Sequence, residues 1–339
     1  MFPNAQVKIV SFELLAVGGD QRGKQRAREL HRDLLAKIQT ISGAAIVTYV
    51  TPSGDRIANH RVDTVKVARD HKAQMALWGQ VLADKSGKAF INARLALITV
   101  PPGIEASHAL PSPATPGSQL GRIQAPVTDL MLDFNTLESD VQPLVTFVSG
   151  IARYYKANPS GSPSEQIRWL KQSALEFETF VAQVPAGRDA ARVADALVYQ
   201  ARGHVRLSAL EKTRAVMHLQ KAREQLERAA RLDPYDPDVP AALAVVAVRQ
   251  GRSAAEVQSV LVQAVTLAPA DAQARLNLAV VQSARGDLKQ AIRQVDDAQF
   301  VHKAQNGGDL KAARPLREEL LRQQPQRGAE TEKAATSNR

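Results

Sequence analysis

The stretch Ala270–Val301, ADAQARLNLAVVQSARGDLKQAIRQVDDAQFV, decides the fold. It reads as two amphipathic helices hinged at Gly286. Small residues stand where two helices must approach closely: Ala279 on the first, Ala291 and Ala298 on the second. Leu276, Leu278, Ile292 and Val295 supply the larger apolar contacts. A hairpin of this kind cannot bury both of its faces alone, so it needs neighbours built the same way.

Those neighbours lie upstream. The phrase Ala229-Ala-Arg-Leu-Asp-Pro234 returns as Ala264-Val-Thr-Leu-Ala-Pro269, and the turn glycine Gly286 is matched by Gly251, each pair 35 residues apart. On Leu278, Ala279, Gly286, Ala291 and Ala298, and on Leu243, Ala244, Gly251, Ala264 and Pro269 before them, the chain resembles the tetratricopeptide repeat (TPR). The unit of that family is a helix hairpin of about 34 residues. A generic alanine-rich bundle is the plainer alternative and explains the spacing less well. The resemblance covers roughly half the chain and implies an all-α solenoid over residues 140–324. Its hairpins would be Val141–Ala157 with Ser164–Val184, Asp189–Leu210 with Thr213–Leu232, Pro237–Gln250 with Ala254–Leu267, and the two helices of Ala272–Val301. Leu310–Gln324 suits a capping helix that hides the open end of the stack. The polar residues 325–339 read as a disordered tail.

Residues 1–100 have a different pattern. Val7–Glu13, Ala44–Val50, Met75–Leu82 and Ala89–Val100 are rich in apolar and β-branched residues and read as strands. Arg22–Thr40 is helical in period, and Thr64–Lys72 is a short helix that Asp63 can cap. The expectation is a small α/β sandwich of about four strands and two helices, making the whole chain α+β. Val7–Phe12, the helix ending near Ile38, and Ala76-Leu-Trp-Gly-Gln-Val81 before a hairpin resemble the TolB-N/FlgO-like domain. That domain often precedes TPR arrays in bacterial proteins and is generally non-catalytic. Between the two halves, residues 101–139 hold a proline-rich linker centred on Pro111-Ser-Pro-Ala-Thr-Pro-Gly117. Proline excludes helix and central strand there, although Val127–Phe134 could return to the sheet.

Chemistry is sparse. No cysteine is present, which excludes thiol catalysis and Cys-based metal sites. The seven histidines include no pair at i, i+4, and no G-x-S-x-G occurs, so neither a metal nor a catalytic residue is assigned. Gly18-Gly-Asp-Gln-Arg-Gly23-Lys24-Gln25 fits G-x-x-x-x-G-K, but Gln25 stands where a hydroxyl should hold magnesium. A glycine turn feeding a basic helix explains it better, with Gly23 and Lys24 as weak anion-binding candidates. No cofactor is expected.

The formal charge is +10, and residues 1–125 carry 16 Lys/Arg against 9 Asp/Glu. That excess invites a nucleic-acid reading. Only 4 % of residues are aromatic, which leaves little for base stacking, so nucleic acid is not the favoured partner. No apolar run reaches the ~20 residues needed to cross a bilayer, and the N-terminus lacks the pattern of a secretory signal, so a cytoplasmic protein with no membrane partner is expected.

The TPR resemblance implies a groove lined by the first helix of each hairpin, which receives a protein or peptide. Its candidates are Ala241, Val245 and Arg249, then Gln273, Leu276, Asn277 and Val280. For each of them, inter-repeat packing is the plainer role. The leading expectation is a non-enzymatic scaffold or adaptor, with self-association left open. The alternative is a regulatory sensor whose basic N-terminal domain binds a nucleotide, another anion or nucleic acid.

Overall fold

The structure is a computed structural model and describes residues 7–12, 15–17, 21–49, 61–83, 89–98, 131–137, 141–158, 161–185 and 189–323. The expected tail, Gly18–Asp20 and all of the expected linker except 131–137 lie outside them. The sheet and the helices up to Lys212 form one compact unit, and the helices from Thr213 onward form a second.

In the first unit the sheet order is β3-β1-β4-β5-β6, with β1 at Lys8–Phe12, β3 at Ala45–Tyr49, β4 at Met75–Ala83, β5 at Ala89–Leu97 and β6 at Met131–Leu137. A sixth short strand, β2 (Leu15–Val17), pairs with β4. The sequence suggested about four strands. The two it did not number are a three-residue strand and β6, whose place is set by antiparallel pairing with β5. The strands β1, β3 and β4 are parallel, so the chain between β1 and β3 must cross over, and α1 (Gln21–Ser42) makes that crossover. Val10, Phe12, Ala76, Trp78 and Ala96 share one apolar cluster with Val67 and Ala68 of α2 (Arg61–Asp70). Ile9, Met75, Leu77 and Leu95, which alternate with them, are buried as well. Helix α2 begins at Arg61, so Asp63 lies inside the helix and does not cap it.

Gly43 ends α1 in a left-handed conformation at φ 58°, its N–H bonded to Gln39 O. In β4, a Cβ at Gly79 would lie 2.0 Å from the backbone oxygen of Asn92 on β5, so only glycine fits the closest point of that strand pair.

Three helices complete this unit: α3 (Gln142–Lys156), α4 (Pro163–Gln183) and α5 (Ala190–Leu210). Helix α4 starts just before Ser164. Its cap is Ser162, whose hydroxyl accepts from Glu165 N in a capping box. Helix α3 is apolar over most of its surface and packs on α1, α4 and α5. A Cβ on Gly150 would meet the Phe177 ring at 2.9 Å, and Ser173 Oγ donates to Gly150 O at 2.8 Å, so α3 and α4 touch backbone to side chain. Around that contact Phe147 meets Phe177 and Phe180 edge to face, at 5.6 and 5.1 Å between ring centres.

The second unit is a run of helices, each packed on the next: α6 (Ala215–Leu232), α7 (Asp238–Arg249), α8 (Ala254–Leu267), α9 (Ala272–Arg285) and α10 (Leu288–Asn306). A last helix, α11, spans 313–323. Capping makes the boundaries sharp. Ser253 and Glu256 form a capping box on α8, Asp271 accepts from Gln273 N and Ala274 N at the start of α9, and Gly286 closes α9 at φ 95°.

Candidate partner-binding site

Helices α7 and α9 carry the residues that the repeat pattern points to. They are buried over most of their circumference, whereas α8 and α10 are exposed on one side. That difference sorts the helices into inner and outer members of a repeat. Small residues set the spacing between them. Ala241 of α7, Ala264 of α8 and Ala274 of α9 form one cluster, with Val265 packed beside it.

The expected groove residues have several fates. Ala241 is fully buried in that cluster. Leu276 is buried with Ala279, Ala291, Val295 and Ala298, and with Ala313 and Leu320 of α11, so it packs repeat against repeat and against the cap. Val245 and Val280 are buried. Asn277 is also buried, and its Oδ1 accepts from Gln273 Nε2 at 3.0 Å, a polar contact along an otherwise apolar helix face. Arg249 is half-buried, and burial lowers its pKa to about 10. Of the seven, only Gln273 and Arg249 keep intermediate exposure.

Gly23 and Lys24 fall inside the first turn of α1, so the phosphate-loop pattern runs into the helix instead of ending at its start. Among the described residues no three His, Asp or Glu side chains stand together as metal ligands, and no helix is long and apolar enough to cross a membrane.

Other groups escaped the sequence reading. Burial raises the pKa of Asp271 from its ordinary value, its helix-capping bonds offset part of the rise, and Asp238 on the preceding inner helix adds to it. Arg275 links one hairpin together through Pro269 O, Gln294 and Asp297 at 2.8, 3.1 and 3.4 Å. In the first unit Arg206 is buried and donates to Tyr154 O and Ala157 O, at the end of α3, and lies over the Tyr154 ring. Tyr199, Arg202 and Arg206 follow at i, i+3 and i+7, a helical-face spacing that could have signalled this cluster.

No family model and no curated protein matches the chain. Solved structures similar to it include a thermophilic TPR protein of Thermus thermophilus, at 20 % identity and a TM-score of 0.38, covering 52 % of this chain and 91 % of that one. The MamA protein is similar at 14 % identity and a TM-score of 0.29, covering 50 % and 98 %. A MamA RS-1 ArsTM double mutant matches at 15 % and 0.29, over 49 % and 98 %. None of these likenesses says what this chain binds.

Proposed function

We propose that the protein is a non-enzymatic scaffold or adaptor, and that its TPR-like helices receive a protein or peptide segment along α7 and α9. One observation supports this most: Arg249 and Gln273, the two expected groove residues that keep exposure, place polar groups on two inner helices that are otherwise largely apolar. A guanidinium drawn partly out of water binds a carboxylate or backbone carbonyl with a charge-assisted hydrogen bond, stronger than the neutral kind. The same proposal takes the sheet domain as a non-catalytic TolB-N/FlgO-like module, which its strand–helix order favours.

The test is affinity capture with the full chain and with an Arg249→Ala, Gln273→Ala variant of unchanged melting temperature. A protein retained by the native chain should be lost about tenfold or more by the variant, as for truncated interface anchors. Equal retention by both chains would remove α7 and α9 from the docking surface.

A further inference from the structure

We infer that α1 serves as the inner helix of a pseudo-repeat, with the sheet in place of its outer helix, so that the layer holding α3 and α5 begins inside the α/β domain. One kind of contact occurs twice. Near the end of α3, Arg153 Nη2 donates to Ile41 O at 2.9 Å, and Lys156 Nζ donates to Ser42 O and Gly43 O at 2.7 and 2.9 Å. Near the end of α5, Arg206 donates to Tyr154 O and Ala157 O. In both cases a cation late in one inner helix satisfies the orphaned terminal carbonyls of the inner helix before it. The C-terminal ends of α1, α3 and α5 therefore lie together, as successive members of one layer.

The outer helix of the first hairpin braces the joint. Glu176 of α4 pairs with Arg153 at 2.7 Å, and the ring of Trp169 lies 4.9 Å from Lys156 Nζ. Gly43 permits the approach, because a Cβ there would stand 2.9 Å from the ammonium. Leu30, Leu34 and Ile38 of α1 are buried, while Arg32 and Lys37 face water. This goes beyond the scaffold reading and stands apart from it. It makes the α/β domain the fixed start of the layer that holds α3 and α5, and a helical fragment cut after the sheet loses the partner of α3.

Hydrogen exchange across a urea series on the full chain tests it. The amides of α1 and β3 and those of α3–α5 should lose protection at the same urea concentration. In an Arg153→Met, Lys156→Met variant the last turns of α1 and α3 should exchange about tenfold faster together, while α8–α10 keep native protection. Loss of protection by α3–α5 at a urea concentration where α1 and β3 remain protected would overturn the inference, and so would a variant that alters α3 alone. The native chain decides the matter even if the variant fails to fold. Partner capture plays no part in the result.

Discussion

The first unit and the second solve the same packing problem with different side chains. Between α3, α4 and α5 the contacts are large and individual: Phe147, Phe177, Phe180, Tyr154 and Tyr199, with a buried arginine among them. Between α7, α8, α9 and α10 they are small and recurrent, made by alanines at repeating positions. A repeat that stacks on copies of itself needs a uniform spacing, which a methyl group supplies. A repeat that must also meet a sheet domain cannot be uniform, and its fit is tailored residue by residue. Substitutions should therefore hurt by truncation in the first unit and by enlargement in the second.

The largest effect should come from Phe177→Ala, at about 3–5 kcal/mol of stability, because the ring fills the space beneath Gly150 and its loss leaves a cavity. Urea unfolding of the full chain, read in the first unit, measures it. Next comes Ala274→Leu, which overpacks the alanine cluster and should cost about 1–3 kcal/mol. The same substitution made at an exposed position, Ala284, should cost little, and equal losses at the two sites would erase the contrast between the units.

Asp271→Asn sharpens the comparison through pH. The folded-state pKa of Asp271 is raised, so the native chain binds a proton more readily than the unfolded chain. Its contribution to stability therefore falls as pH rises from the unfolded carboxylate value through the folded one. Asparagine keeps the capping acceptor without the buried charge. The variant should match or exceed native stability at neutral pH and lose part of the acid-side dependence. A melting series from about pH 3 to 7, spanning ordinary carboxylate titration and the range above it, reads this. Smallest of all is Arg317→Ala. Its 2.6 Å bond to Asp296 joins α11 to α10, but both side chains are about half exposed, so the loss should stay under about 1 kcal/mol.

The helical run from α7 to α10 was legible because its signals are short-range. Gly251 and Gly286 end helices, Ser253 and Asp271 begin them, and alanines mark close contacts within a few turns. The strands β1, β3, β4 and β5 were legible for the same reason. β6 was harder to place: MLDFNTL has a weak alternation, and its position depends on pairing with residues far earlier in the chain. Arg153 and Lys156 look in sequence like ordinary cations ending a helix, and only folding shows that they end a different one. Leu276 was misleading in a physical way. A leucine on an inner helix can face a groove or the next repeat, and the capping helix that meets it lies about forty residues downstream.

The chain has two tryptophans, Trp78 within the sheet and Trp169 on α4, and both belong to the first unit. Tryptophan emission, excited selectively so that Tyr235 of the second unit does not contribute, therefore reports on the first unit and is silent about α6–α11. Lys156 and Arg168 beside the Trp169 indole add a local electric field, so its emission should shift when either cation is removed, while circular dichroism follows the helices of both units. Recording the two signals together separates the melting of one half from that of the other without a label.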